Sequence, residues 1–271
     1  MHRPDSRLLS ERDSSMKIID LSVSIVDGLP VDPPVSMAHI DYQDHAVGAD
    51  SMLPFFPGAT KGDLPDGAAW AVENLSLSTH TGTHLDAPYH YHPTMNKGER
   101  AWTIDEIPLE WCMGDGVVVD FSDKPTGYVC TPEDFQQYFQ KIGYTLKPGD
   151  ILLLHTNAMQ YWGTARYSAE GCGVGRAATL WLAEQGIRVM GTDAWSWDAP
   201  LNSITEKFVQ TGDVSLLWEG HKAGMDCIYC HYEKLANLDQ LPPFGFYFIG
   251  FPVKVDRASA GWARPVAILK N

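Results

Sequence analysis

Basic residues are scarce in this chain of 271 residues, which has 20 Lys and Arg against 34 Asp and Glu and a formal net charge of −14. A surface with that excess of negative charge repels nucleic-acid phosphates and anionic lipid headgroups. We therefore expect neither nucleic acid nor a membrane among the partners of the protein. The same excess of acidic residues also serves simple solubility.

Long apolar segments and a disulfide pattern are also missing. The longest apolar run near the end, residues 244–253, is shorter than the roughly 20 residues that span a bilayer. Residues 1–15 are charged throughout and lack the apolar region of a signal peptide, so we expect a cytoplasmic protein. The five cysteines are an odd and scattered set, which does not predict a disulfide framework.

The apolar residues, 44% of the chain, are enough to bury a core, and most of them fall in short strand-like segments. Two helices stand out between the strands. One spans residues 131–143, with Thr131 at its N-cap and Gly143 at its end, and the other spans residues 175–186. Because strands and helices do not alternate strictly, we predict an α+β single domain with a mixed sheet rather than a doubly wound fold.

The domain boundaries follow from composition. We assign residues 1–16 to a disordered N-terminal tail and residues 17–271 to the domain. Residues 26–66 are rich in Pro, Gly and Asp, which predicts a long irregular loop of the kind that often covers a binding site.

Histidine is concentrated in LSTHTGTHLDAPYHYHP, residues 77–93. His80 and His84 have the spacing of one helix face, but the Thr-Gly-Thr between them and Pro88 after them argue against a helix. In an extended chain, His80, His84 and Asp86 would point to one side. Two imidazoles and a carboxylate suit Zn²⁺ or Mn²⁺, and three ligands leave coordination positions open, as a catalytic metal requires.

The segment HTGTHLDAPYH, residues 80–90, resembles the signature of the cyclase-like metal-dependent hydrolase family, of the kynurenine formamidase and isatin hydrolase type. Matching segments recur along the chain as IIDLSVSI, GDILLLHT, GTDAWSWD and EKLANLDQLP, so the resemblance extends from residue 18 to the end. It implies a mixed-sheet fold of the swivelling β/β/α type. It also implies a homo-oligomer, either a dimer or a tetramer.

The resemblance assigns ligands for one or two divalent ions, Mn²⁺ or Zn²⁺. His80, His84 and Asp86 match the ligands of the first ion. Asp86 would bridge to a second ion held by His221 and Glu233.

The implied reaction is hydrolysis of the C–N bond in a small cyclic amide or aryl amide, of the isatin sort, by metal-activated water. His90 matches the active-site histidine of the family and is predicted to protonate the leaving nitrogen. Glu233 orients or deprotonates the water, or only binds metal. Arylformamidase activity on N-formylkynurenine, lactone hydrolysis, and a non-catalytic protein that binds metal or a small molecule remain as alternatives.

Other side chains have weaker assignments. An aromatic substrate would be contacted by four residues that can equally belong to the core: Phe55, Phe56, Trp70 and Tyr89. Asp193, Ser196 and Asp198 follow a strand, where they either hydrogen-bond the ligands or form a polar turn. CIYCH, residues 227–231, has the spacing of a haem-attachment motif, but we interpret it as a strand with buried cysteines.

Overall fold

The computed structural model describes residues 16–270. The tail predicted for residues 1–16 therefore lies outside the described residues, except for Met16, which begins the first strand. The strands are β1 (Met16–Asp20), β2 (His39–Gln43), β3 (Val72–Ser76), β4 (His84–Asp86), β5 (Thr94–Met95), β6 (Glu99–Arg100), β7 (Met113–Asp120), β8 (Val129–Cys130), β9 (Ile151–His155), β10 (Gly173–Val174), β11 (Val189–Thr192), β12 (Cys230–Glu233), β13 (Phe244–Ile249), β14 (Ala260–Trp262) and β15 (Val266–Lys270). The helices are α1 (His45–Met52), α2 (Pro88–Tyr91), α3 (Pro132–Ile142), α4 (Arg176–Glu184), α5 (Leu201–Thr211) and α6 (Glu219–Lys222).

Nine strands form one mixed sheet in the order β1-β15-β13-β7-β9-β11-β12-β4-β14. The run from β7 through β9 and β11 to β12 is parallel, and the pairs outside it are antiparallel. Parallel neighbours need crossover connections, and the chain passes through α3, α4, and then α5 and α6 between successive parallel strands. The predicted α+β single domain with a mixed sheet is confirmed.

The core lies on both faces of the sheet because alternate residues of each central strand point to opposite sides. Val118 packs into one cluster with Leu85 of β4, whereas Val117 and Val119 pack into the other with α3 and α4. No helix within residues 16–270 is both long and apolar enough to cross a membrane.

The first predicted helix has the predicted ends. Thr131 accepts a hydrogen bond from the Asp134 backbone N–H at 3.4 Å, and the Asp134 carboxylate accepts one from the Thr131 N–H at 2.9 Å. This reciprocal capping satisfies donors that the first helical turn leaves unpaired. The helix stops at Gly143, whose φ of +68° is a left-handed conformation that favours glycine.

Two regions are more ordered than the sequence pattern indicates. Residues 26–66, predicted as an irregular loop, contain β2 and the helix α1, which begins where the Asp44 side chain accepts from two backbone N–H groups. Asp44 is an N-cap signal within a segment whose overall Pro and Gly content favours a loop. Helices α5 and α6 are also absent from the sequence-based expectation.

The register at the end of the sheet decides where the histidine-rich segment lies. β4 pairs antiparallel with β12, which places His84 opposite Glu233 and Asp86 opposite His231. On its other side β4 pairs with β14. Directly opposed residues of antiparallel strands have neighbouring side chains, so two ligands from residues 77–93 meet two polar residues far away in sequence.

The backbone packs closely at the buried Gly173 of β10, beside Asp198 and Ala199. A Cβ added there would lie 1.9 Å from the Ala199 nitrogen and 2.1 Å from the Asp198 carbonyl carbon, atoms that no side-chain rotation can move. We predict that Gly173→Ala lowers the free energy of unfolding by about 1–3 kcal/mol, as is typical of overpacking. Urea unfolding of both proteins measures the difference.

The matched control is Gly62→Ala. Gly62 is exposed, and its added Cβ would meet only the Thr60 hydroxyl at 3.6 Å. We expect this variant to differ from the unchanged protein by less than about 0.5 kcal/mol. Equal stability of the two variants would contradict the packing assigned to Gly173.

Candidate metal centre

The first group of side chains that could bind a metal ion consists of His80, His84 and Asp86. His80 Nδ1 lies 2.9 Å from Asp86 Oδ1, His84 Nε2 lies 3.2 Å from the same oxygen, and the two nitrogens are 3.3 Å apart. The structure therefore brings together the three side chains that the sequence groups. The alternation of an extended chain accounts only for His84 and Asp86, which belong to β4.

His80 reaches the group by a turn rather than by strand alternation. Gly82 has a φ of +64°, a conformation that favours glycine, and the chain bends there before β4 begins. The Gly82 carbonyl accepts a hydrogen bond from His84 Nδ1 at 2.8 Å. This bond commits the N–H of His84 and leaves the lone pair of Nε2 facing Asp86.

A second group of donors faces the other oxygen of Asp86. His231 Nε2 lies 3.3 Å and His221 Nε2 lies 3.9 Å from Asp86 Oδ2. Glu233 Oε1 lies 3.2 Å from the first of these nitrogens and 3.7 Å from the second. The structure thus brings His221 and Glu233 to Asp86, as the family resemblance implies, and adds His231, which the sequence interpretation missed.

Asp198 fixes the orientation of His221. Its carboxylate lies 2.5 Å from His221 Nδ1 and accepts hydrogen bonds from the backbone N–H groups of Gly220 and His221 at 2.7 and 3.1 Å. With its Nδ1–H donated to Asp198, His221 presents the lone pair of Nε2 to the cluster. Of the two interpretations of the GTDAWSWD segment, hydrogen bonding to a ligand is therefore the one that holds for Asp198.

Asp86 is completely buried, and within residues 16–270 neither of its oxygens has a hydrogen-bond donor of acceptable geometry. Burial alone raises the pKa of this carboxyl, but His90, His84 and His80 outweigh burial and hold the pKa well below its usual range. A buried carboxylate that is ionised and lacks donors is costly unless a cation faces it. The orphaned oxygens, surrounded by imidazole and carboxylate donors, fit a divalent cation.

The neighbouring groups are also tuned by the two carboxylates. Burial and Asp86 raise the pKa of Glu233, but the opposing effect of His231 and His84 is larger and brings the pKa down to about 2. Glu233 is therefore anionic at neutral pH. Burial lowers the pKa of His231, but Asp86 and Glu233 raise it to about 9. A proton and a metal ion therefore compete for Nε2 of His231.

His90 lies beside the cluster on the single turn of α2, with Nε2 3.7 Å from Asp86 Oδ2. Burial lowers the pKa of His90 to about 4, although Asp86 opposes the shift. The ring is therefore neutral at neutral pH. The general-acid role assigned to His90 stays a prediction.

A cavity of about 360 Å³ opens above the cluster, a size suited to a small molecule. His80, His90, His221 and Glu233 form its polar floor. Its walls include Pro33, Trp195, Leu201 and Trp218. The Trp218 ring stacks on His221, with centroids 4.3 Å apart and planes at 20°, and lies edge-on to His90 at 5.2 Å.

A buried ion pair ties residues 26–38 to the cavity. Lys234 Nζ lies 2.5 Å from Asp32 Oδ1 and donates to the His80 carbonyl at 2.9 Å. Trp195 Nε1 donates to the same Asp32 oxygen at 2.8 Å. The sequence pattern does not pair Asp32 with Lys234, because 202 positions separate them.

The structure does not bring the predicted substrate aromatics to this cavity. Phe55, Phe56, Trp70 and Tyr89 are absent from its walls, and each is at least 43% exposed. Phe55 packs edge-on against Trp70 at 6.1 Å, because residues 45–70 fold onto themselves as α1 and the turns after it. Within the single chain, Trp195 and Trp218 take the place assigned to these four residues.

Comparisons with known proteins identify the family of this chain. A family model described as putative cyclase matches residues 19–199. A kynurenine formamidase of Bordetella petrii is 30% identical over 158 residues, which are 56% of this chain and 68% of the relative.

Two solved structures of isatin hydrolase A resemble the fold. The enzyme from Labrenzia aggregata is 25% identical with a TM-score of 0.70, covering 98% of this chain and 99% of that one. The enzyme from Ralstonia solanacearum is 23% identical with a TM-score of 0.73, covering 94% and 92% respectively. Because the family model spans more than half of the chain, this protein belongs to the putative cyclase family, the cyclase-like metal-dependent hydrolases that its histidine-rich segment resembles.

Proposed function

We propose that the protein hydrolyses the C–N bond of a small cyclic amide or aryl amide at a divalent metal centre. The observation that carries this proposal is the ionised, fully buried carboxylate of Asp86, which has no hydrogen-bond donor among the described residues. It belongs to both groups of possible metal-ligand residues and lies below an open cavity. The relatives confirm the enzyme class predicted from the sequence, a metal-dependent amide hydrolase.

His80, His84 and Asp86 would hold one Zn²⁺ or Mn²⁺ ion, and His221 and Glu233 would hold a second one together with Asp86. A bound divalent ion polarises a carbonyl oxygen and lowers the pKa of water into the neutral range. Asp198 holds His221 in the orientation that ligation requires.

His90 is the residue placed to move the proton. Its neutral ring faces the cluster and lines the cavity, so Nε2 can accept the proton that the attacking water loses. The same nitrogen can then deliver that proton to the departing amide nitrogen, which is a poor leaving group without it.

The indole walls favour a planar substrate. Trp218 stands over His221 and beside His90, and Trp195 lines the same cavity, so an aryl ring could lie against either indole. A cyclic amide of the isatin type fits this description, and an aryl formamide such as N-formylkynurenine is the second candidate because the curated relatives include kynurenine formamidases. A homo-oligomeric state and a cytoplasmic location remain predictions from the sequence.

Removal of metal tests the proposal directly. We predict that chelation abolishes hydrolysis across a panel of isatin, N-formylkynurenine, hydantoins and lactones, and that added Zn²⁺ or Mn²⁺ restores it. His84→Ala removes a buried donor that faces Asp86 Oδ1, and we expect it to lose bound metal and at least a hundredfold in kcat/KM. Elemental analysis of the purified proteins measures the metal.

The control is His39→Ala, which removes a histidine whose side chain is 72% exposed and lies outside the cluster. We expect this variant to keep the metal content and the activity of the unchanged protein. Full activity and unchanged metal in His84→Ala would sink the assignment. Lactone turnover with no turnover of any amide would move the function to ester hydrolysis.

A separate test isolates the proton carrier. Gln at position 90 keeps a polar side chain but cannot exchange a proton, so we predict that His90→Gln lowers kcat by about 10²–10⁴. Because His90 belongs to neither group of residues that could hold an ion, the metal content should not change. Loss of metal together with activity would show that His90 is a ligand instead.

A further inference from the structure

His231 is a buried polar residue that the proposed reaction does not yet use. It lies on β12 two residues before Glu233, so both side chains point to the same face of the sheet. Its side chain is fully buried, and its partner across the strand pair is Asp86.

The distances around His231 match those between ligands of one ion. Ligand atoms 2.0–2.2 Å from a tetrahedral ion are about 3.3–3.6 Å from one another. From His231 Nε2, Asp86 Oδ2 and Glu233 Oε1 lie at 3.3 and 3.2 Å, and from His221 Nε2 they lie at 3.9 and 3.7 Å. The distances from His231 lie close to this range and those from His221 are slightly longer, and one ligand atom from each of the four residues lies within 4.8 Å of the others.

A simple ion pair describes these contacts less well. Charge-assisted N–H···O bonds are usually about 2.7–2.9 Å long. His221 Nδ1 makes such a close contact with Asp198 at 2.5 Å, whereas the hydrogen bond between His231 Nε2 and Glu233 Oε1 is 3.2 Å long, and Asp86 Oδ2 lies almost as near at 3.3 Å. A nitrogen held at the same distance from two acceptors is placed for a common centre between them.

Tyr91 orients the ring of His231. Its hydroxyl lies 3.0 Å from His231 Nδ1 and donates a hydrogen bond of 3.4 Å to the Asp86 backbone carbonyl. The hydroxyl oxygen can then accept the Nδ1–H of His231, which leaves the Nε2 lone pair facing the carboxylates, as in a ligand histidine. The ring is also held between Tyr91 at 5.2 Å and Trp197 at 5.7 Å, with nearly parallel planes.

We propose that His231 is a ligand of the second metal ion, an inference that rests on the proposed function. The second position then has four protein donors, Asp86, His221, His231 and Glu233, whereas the first position has three, His80, His84 and Asp86. Four protein donors fill a tetrahedral ion, and three leave a place for water or substrate. The two positions would consequently differ in role: the first would leave room for water or substrate, and the protein donors would fill the second.

Zinc binding to the full chain tests this proposal without relying on activity. Crystals grown with Zn²⁺ should show two anomalous peaks per chain, one of them about 2.0–2.1 Å from His231 Nε2. Calorimetric titration of the metal-stripped protein with Zn²⁺ should give two ions per chain. For His231→Gln we expect one ion with unchanged affinity and a second one weakened at least tenfold.

The matched control is His155→Gln, which makes the same chemical change at a mostly buried histidine of β9 outside the cluster. It should bind two ions as the unchanged chain does. His231→Cys separates ligation from packing, because a thiolate is also a zinc ligand and should restore the second ion. Circular dichroism and thermal unfolding establish that each variant is folded.

Two results would overturn the role of His231 while leaving the proposed function intact. One is two ions of unchanged affinity in His231→Gln. The other is a single anomalous peak in the unchanged protein, at His80, His84 and Asp86 and away from His231. An unchanged protein that binds no metal at all would instead remove the proposed function and this inference with it.

Discussion

The carboxylate of Asp86 is the constraint on which the rest of the site depends. It is fully buried and ionised, and within residues 16–270 neither of its oxygens has a hydrogen-bond partner. Placing such a charge in a protein interior costs several kcal/mol when nothing compensates it. Asp86 lies near the end of the sheet, where two separate groups of imidazoles and a second carboxylate converge on its two oxygens.

The sheet is built so that this convergence is rigid. β4 is only three residues long but is paired on both sides, by β12 and by β14, so Asp86 cannot shift without breaking two ladders. His221 arrives from outside the sheet on a single helical turn and is anchored by Asp198, which follows β11. The predicted ligands on strands are thus positioned by register, and the predicted ligand on the helix is positioned by a hydrogen bond.

How far the sequence predicts this site depends on how many positions separate its residues along the chain. His80, His84 and Asp86 lie within seven residues, so local spacing, one glycine and one proline suffice to group them. His221 and Glu233 could be assigned only through the family resemblance. The sequence does not identify His231 as part of the site, because its strand pattern suits a buried structural residue as well as a metal ligand. Only the pairing of β12 with β4 shows that it faces Asp86.

The pocket walls were the least predictable part, for a related reason. Exposure of Phe55 and Phe56 in a loop suggested contact with a substrate, yet the loop forms its own helix and packs Phe55 on Trp70. The walls come instead from Trp195 and Trp218, which follow β11 and precede α6. The fold class was predictable because hydrophobic periodicity is local, whereas walls formed by distant loops require the tertiary structure.

Two of the eight non-glycine residues with positive φ within residues 16–270 lie beside the site. Trp218 and Lys234 have φ values of +58° and +59°, a conformation that is uncommon for residues with bulky side chains. Trp218 stands three residues before His221, and Lys234 directly follows Glu233. In each case the left-handed residue turns the chain next to a predicted ligand, and its own side chain then lines the cavity.

Such conformations cost about 1–3 kcal/mol each and persist where the surroundings enforce them. Here the enforcing contacts are the stacking of Trp218 on His221 and the bond of Lys234 to Asp32, so the groups that shape the cavity also hold the ligands beneath it.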